Sequence, residues 1–236
     1  MTIDKRMATA TEAVAGIKDG AIVLVSGFGE AGNPTELVHA LVDQGASDLV
    51  VVNNNAGTGQ LGLAKLLAAG QVSKVICSFP RSAKSVVFQD LYKAGKIELE
   101  VVPQGTLAER LRASGAGIGG FFTPTSASTP LAEGKETRVI DGKDHVLELP
   151  IRADVALIKA DKADPWGNLT YRKAARNFAP NMAMAAALTI VQARVIVGLG
   201  DIDPEQVVTP SIFVDRIVEV SDPVSEAAAL LEQTNA

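Results

Sequence analysis

Between residues 21 and 115, short runs rich in valine and isoleucine alternate with longer amphipathic runs, and a glycine follows each of the longer ones. A strand buried on both faces reads as a continuous apolar run, whereas a helix packed on one side repeats its apolar positions every three or four residues. The pattern predicts strands at Ala21–Val25, Leu49–Val52, Lys74–Cys77 and Ile97–Val101. Helices are predicted between them at Pro34–Gln44, Leu61–Ala69, Ala83–Ala94 and Thr106–Ser114, with Gly45, Gly70, Gly95 and Gly115 as stops. Strands joined by covering helices make an open, mainly parallel α/β sheet.

After Gly115 the rhythm changes. A loop rich in Gly, Ser and Thr runs to Pro130, and Asp141-Gly142 then separates two β-like runs, Glu136–Ile140 and His145–Leu149, as a hairpin signal. These add a small antiparallel portion. A strand at Ala153–Ala160, a helix around Asn181–Ala187 and strands near Leu188–Val197 and Ile212–Val220 complete the set. No repeat or linker divides the chain, so residues 1–236 are expected to form a single domain.

Several function classes are disfavoured. The net charge is −5, and Lys and Arg are scattered among Asp and Glu, so no basic stripe is available for nucleic acid. The greasiest region, from Met182 to Gly200, is interrupted by Gln192 and Arg194, which argues against a membrane span. Asp4, Lys5 and Arg6 precede a polar, alanine-rich stretch without the apolar core of a secretory signal. One cysteine, Cys77, with only His39 and His145 beside it, offers neither an internal disulfide nor a zinc spacing. The expectation is a cytoplasmic protein with no metal.

The first predicted strand runs directly into Ser26-Gly27-Phe28-Gly29-Glu30-Ala31-Gly32-Asn33-Pro34. Glycines there allow a tight backbone and close approach of an anion or acyl oxygen. The loop's exit reads as a helix start, with Asn33 as N-cap, Pro34 at the first helical position and Glu36 completing a capping box. Gln104 stands between a predicted strand and a helix, where its amide can donate to a tetrahedral intermediate or simply bond the helix start. Asn54 and Asn55 follow the second strand and suit either carboxylate recognition or an irregular turn.

Asp19-Gly20 before an apolar strand, Gly27-Phe28, Gly32 and Pro34 together resemble the N-terminal signature of family I CoA-transferase A subunits, with Ser26 where the family usually has glycine. The resemblance continues through Asn54-Asn55-Ala56-Gly57, Val102-Pro103-Gln104-Gly105-Thr106-Leu107, Gly115-Ala116-Gly117-Ile118, Gly167-Asn168-Leu169, Tyr171 to Phe178 and Thr209-Pro210, and covers nearly the whole chain. It implies a ping-pong exchange of CoA between two carboxylates through a glutamyl-CoA thioester. The nucleophilic glutamate is expected on a partner B subunit, in an assembly with two copies of each chain, and no cofactor is held permanently. Glu30 lies in the glycine loop but does not align with that nucleophile.

By the same resemblance Gln104 belongs to the oxyanion hole, Ser26, Gly27, Phe28, Gly29, Glu30, Ala31 and Gly32 form the loop assigned to CoA, and Asn54 and Asn55 contact substrate. Cys77 to Arg81 and Phe88 to Glu98 look more like the branch acting on 3-oxoadipate than the one acting on acetoacetate. Succinyl-CoA is then the expected donor. Arg81, or Lys84, is placed either to pair with the distal carboxylate of such a diacid or to stand as a solvated charge at a helix start. Arg172 and Arg176, four apart, are placed to share a helical face at a CoA phosphate, a subunit interface or the free surface. The alternatives are the A subunit of an acetoacetate:succinate CoA-transferase and a ligand-sensing module of the same sugar-phosphate-isomerase-like fold.

Overall fold

The apolar runs form strands in the computed structural model, which describes residues 3–82 and 84–224. In chain order the first elements are α1 (Ala10–Val14), β1 (Ile22–Val25), α2 (Thr35–Gln44), β2 (Leu49–Val52), α3 (Leu63–Ala68), β3 (Val72–Cys77), α4 (Val86–Lys93), β4 (Glu98–Val101) and α5 (Gln104–Gly115). There follow β5 (Phe121–Thr123), β6 (Thr137–Ile140), β7 (Lys143–Glu148), β8 (Ala153–Ala163), β9 (Leu169–Thr170), α6 (Ala179–Ala185), β10 (Ala186–Ile196) and β11 (Arg216–Glu219). Ala83, the predicted first residue of the fourth helix, lies outside the described residues.

The main sheet has the order β11-β10-β8-β1-β2-β3-β4, parallel throughout, with β9 paired antiparallel to β8. From β1 the chain steps outward through β2, β3 and β4, then returns to lay β8 on the other side of β1 and continues through β10 and β11. Strand order therefore reverses between β1 and β8. Val23 is flanked by Val51 on one side and Val155 on the other. One face is covered by α1 to α4, whose Val14, Leu37, Leu66 and Phe88 share one buried apolar cluster with Val23 and Val51. The other is covered by α5 and α6, whose Leu107, Leu111 and Met182 pack on Leu24 and Ile158. Burial of each such side chain is worth about 1.5–3 kcal/mol, which is why both faces must be roofed.

The second sheet, β5-β7-β6, is antiparallel. Asp141 and Gly142 both have positive φ, 49° and 72°, as the tight turn of a two-residue hairpin requires. Arg110 of α5 fastens this sheet to the main one, its guanidinium 3.9 Å from Glu148 of β7. Glu148 is buried and takes Lys135 Nζ at 2.6 Å, while Arg110 bridges Glu100 at 2.9 Å and donates to the Leu149 carbonyl at 2.7 Å.

Four local expectations are corrected. The α2 start is not a capping box: Pro34 holds the cap position, Asn33 Nδ2 donates to the Gly29 carbonyl, and Glu36 bonds the buried Gln192 of β10. A polar amide on a central strand must be satisfied, and the helix terminus does this. The predicted helix at 181–187 is α6, which begins earlier with Pro180 in its first turn and yields to β10 at Ala186. The predicted strand from Ile212 starts as a 3-10 turn, Ser211–Phe213, leaving Ile212 exposed, and only Arg216–Glu219 pairs. Lys173–Arg176 is a 3-10 turn with Arg172 extended before it, so Arg172 and Arg176 do not share an α-helical face. The short α1 went unpredicted although Thr9 Oγ1 accepts the Glu12 N–H and the Glu12 carboxylate accepts the Ala8 N–H, because five residues cannot display a helical period.

Among the described residues no helix is long and apolar enough to cross a membrane, and no group of three or more His, Cys, Asp or Glu is placed to hold a metal ion.

His39 of α2 accepts a hydrogen bond at Nε2 from the Gly62 N–H at 3.0 Å, ahead of α3. Burial, reinforced by Lys65, holds its pKa below the ordinary histidine value. A depressed folded pKa means stability that is complete above the unfolded value of about 6.5 and is lost as pH falls toward the folded one. Acidification from neutrality should therefore lower the melting temperature of the native chain more than that of His39→Gln, which keeps an acceptor without a titrating ring. Parallel melting curves against pH in the two proteins would remove this role.

Candidate active site

At the strand-order reversal the carboxyl ends of β1 and β8 diverge, and in open α/β sheets such a crevice is where ligands bind. The glycine loop occupies it. Ser26 is wholly buried; its Oγ donates to the Gly32 carbonyl at 2.7 Å and accepts the Lys159 N–H of β8 at 3.1 Å. One hydroxyl thus joins the two ends of the loop to the neighbouring strand. Within the loop Phe28 and Ala31 exchange backbone hydrogen bonds, and the ring of Phe28 is half exposed.

Asn177 clamps the loop from outside. Its Oδ1 accepts the Gly27 N–H at 3.1 Å and its Nδ2 donates to the Ala31 carbonyl at 3.1 Å. A Cβ on Gly32, whose φ is +81°, would collide with Asn177 Nδ2 and the Ala175 carbonyl; one on Gly27 would collide with Asn33 Oδ1. The glycines at these two positions are thus demanded by close approach. Most loop amides are used internally: those of Gly27, Phe28, Gly29, Ala31 and Asn33 all have acceptors. The loop is a braced wall more than an open nest of donors.

From Gly29 a polar relay leads across the sheet edge. The Gly29 N–H donates to Asn55 Oδ1 at 3.0 Å, Asn54 Nδ2 donates to the same oxygen at 3.1 Å, and Gln104 Nε2 donates to Asn54 Oδ1 at 2.8 Å. Ser78 Oγ also donates to Asn54 Oδ1, at 2.7 Å, and Asn53, bonded to the Val25 carbonyl, orients the Asn55 N–H. Asn54 is 2% exposed, whereas Gln104, the first residue of α5, is exposed. A primary amide carries two N–H donors, so Gln104 keeps one for a ligand.

On the α2 side of the loop lies a cleft of about 340 Å³ lined by Gly29, Glu30, Ala31, Asn55, Thr58 and Lys159, among others. The half-buried Lys159 has a pKa pulled below the usual lysine value by burial, partly offset by Glu36. Cys77 at the end of β3 is buried and its thiol is pushed up to about 12 by that burial, so it stays protonated and unreactive.

The relay brings Gln104, Asn54 and Asn55 together with the glycine loop. Arg81 stands apart, exposed and outside the cleft lining, with no ion pair among the described residues, and Lys84 is likewise exposed. Asn53, Ser78, Lys159 and Asn177 were missed. Asn177 was legible only as part of the string from Tyr171 to Phe178, and Lys159 is one of four charges along its strand, with Asp154, Asp161 and Lys162, so nothing in the sequence singles it out.

A glycine-walled crevice at a strand-order reversal, with a carboxamide presented beside it, is a place for a small ligand, and the sequence profile of the coenzyme A transferase family matches residues 7–220. The chain belongs to that family. It is 59% identical over 227 residues to the A subunit of the 3-oxoadipate CoA-transferase of Pseudomonas putida, covering 96% of this chain and 98% of the relative. It is 53% identical over 215 residues to the A subunit of the succinyl-CoA:3-ketoacid coenzyme A transferase of Xanthomonas campestris, covering 91% and 88%. The solved glutaconate coenzyme A-transferase of Acidaminococcus fermentans shares the fold with a TM-score of 0.80 at 22% identity, over 92% of this chain and 75% of that one.

The loop's close packing has a measurable consequence. Gly20→Ala, at φ +73° with open space around it, should cost about 1–2 kcal/mol from left-handed strain. Gly32→Ala adds the collision with Ala175 and Asn177 and should cost about 3 kcal/mol or more. Urea unfolding of the two variants measures the difference, and equal losses would show that the loop yields at no cost.

Proposed function

We propose that this chain is the A subunit of a two-subunit CoA-transferase that moves CoA from succinyl-CoA to 3-oxoadipate. The observation that carries the reading is the relay from the glycine loop through Asn55 and Asn54 to Gln104, which orients a carboxamide donor at the exposed edge of the site. The 59% identity to the corresponding chain of a 3-oxoadipate enzyme supports the choice of acid, and the 53% identity to that of a succinyl-CoA:3-ketoacid enzyme keeps acetoacetate as the competing acceptor.

In this reading the thioester carbonyl is attacked by a glutamate of the B subunit, since a carboxylate is ionised at neutral pH and needs no base. The carbonyl oxygen becomes an oxyanion. Gln104 donates its free N–H to it, and Asn54, held by Ser78, fixes the Gln104 rotamer so that no reorganisation is needed as charge develops. Collapse expels CoA thiolate, which returns to the glutamyl carbonyl and releases succinate. The glutamyl-CoA thioester then passes CoA to the incoming 3-oxo acid by the reverse sequence. Ser26 to Gly32 wall the site beside the thioester, with Phe28 and Glu30 presented at its surface. Asn54 and Asn55 contact the acyl group. Arg81 supplies positive charge at the approach, and the enzyme works in the cytoplasm as two copies of each chain.

Co-expressed with its B subunit, the chain should transfer CoA from succinyl-CoA to 3-oxoadipate with a higher kcat/KM than to acetoacetate, and alone it should be inactive. Gln104→Ala in the assembled pair should lower kcat by about 10²- to 10³-fold, as loss of one oxyanion donor does. Turnover by the isolated chain would sink the two-subunit reading, and an unimpaired Gln104→Ala pair would sink the role of the amide.

A further inference from the structure

We propose that Lys159 holds the distal carboxylate of a diacid acyl group in the cleft beside the glycine loop, and so sets the preference for diacids over monoacids. The proposal rests on the CoA-transferase reading above.

Lys159 lies at the reversal of strand order itself. Its N–H is bound by Ser26 Oγ, and it is paired across β8 and β10 with Gln192, so both side chains emerge on the face that meets the start of α2. The nearest acid there is engaged elsewhere. Glu36 receives Gln192 Nε2 on one oxygen and the Val224 N–H, at 2.6 Å, on the other. No carboxylate of the described residues is within ion-pair distance of Lys159, and the charge of Glu36 offsets its burial only in part, which leaves a half-buried ammonium without a direct ion pair among the described residues on the wall of a cleft. Such a group is costly unless an anion arrives to offset its lost hydration, in keeping with the lowering of its pKa by burial.

The cleft selects what can arrive. Its volume of about 340 Å³ is of the size that small-molecule sites have, and Asn55 and Gly29, which line it, are also the near end of the relay to Gln104. An acyl group whose reacting carbonyl sits by Gln104 can extend along this path into the cleft. Succinyl and 3-oxoadipyl groups both end in a free carboxylate; the acetoacetyl group ends in a methyl. Glu30, exposed on the loop, is the other charged residue of the described lining and disfavours anions held by backbone alone. His39, farther along α2, is occupied by Gly62. Arg81 lies outside the cleft, so it is the buried cation that can read the end of the chain.

The test uses the assembled two-subunit enzyme. In a ping-pong exchange kcat/KM for the acceptor reports its own half-reaction, so 3-oxoadipate and acetoacetate can be compared directly. Lys159→Met should lower kcat/KM for 3-oxoadipate by about 10- to 100-fold, chiefly through KM, with less than about threefold change for acetoacetate. Lys159→Arg should recover part of the loss, and Lys159→Gln replaces the methionine variant if that one does not assemble. Equal losses for both acids, or no loss for 3-oxoadipate, would overturn the proposal. Calorimetric titration of the native pair with adipate and with hexanoate separates this from failure of the functional reading. If neither acid is a CoA acceptor but adipate binds more tightly than hexanoate, and only while Lys159 is present, the carboxylate site stands without the transfer. Equal binding of the two acids removes it.

Discussion

The reversal of strand order at β1 is the constraint from which the rest follows. Because β2 and β8 flank β1 on opposite sides, a crevice opens at the carboxyl ends of β1 and β8, and the loop after β1 lines it while leaving room for a ligand. Ser26 makes this possible. Its buried hydroxyl closes the loop on Gly32 and ties it to β8 at Lys159. A buried hydroxyl without partners would be destabilising, but here donor and acceptor are both used.

Polar groups in the site are arranged so that few are left over. Asn54 is almost fully buried, yet Gln104, Ser78 and Asn55 account for its side chain. Asn177, far along the chain, supplies both an acceptor and donors to the glycine loop. Against this background of satisfied groups, the exposed N–H of Gln104 and the ammonium of Lys159 stand out as capacity directed outward. A transferase must stabilise charge that exists only during reaction, and preorganised donors with no competing internal partner suit that need.

Much of the fold was legible because its signals are local. The strands β1 to β4 and the helices between them follow from apolar runs punctuated by glycine, and the hairpin follows from Asp141-Gly142. Failures came where a tertiary partner replaced a local one. Asn33 and Glu36 have the spacing of a capping box, but Gln192 from β10 competes for Glu36 and wins, since a buried amide has no solvent alternative. Ile212 looks like the start of a strand, but Pro210 and the turn after it delay pairing until Arg216.

For the site the division is sharper. The sequence by itself determined the family, the glycine loop, the amides at Asn54, Asn55 and Gln104, and the parallel sheet that carries them, because each is a contiguous string with its own chemistry. The tertiary structure alone decided that Asn54 and Gln104 are bonded, that Asn177 clamps a loop some 150 positions earlier, and that Lys159, not Arg81, lines the cleft. Those depend on which strands become neighbours. Strand order is set by long-range burial of two apolar faces, and no single segment of the chain records it.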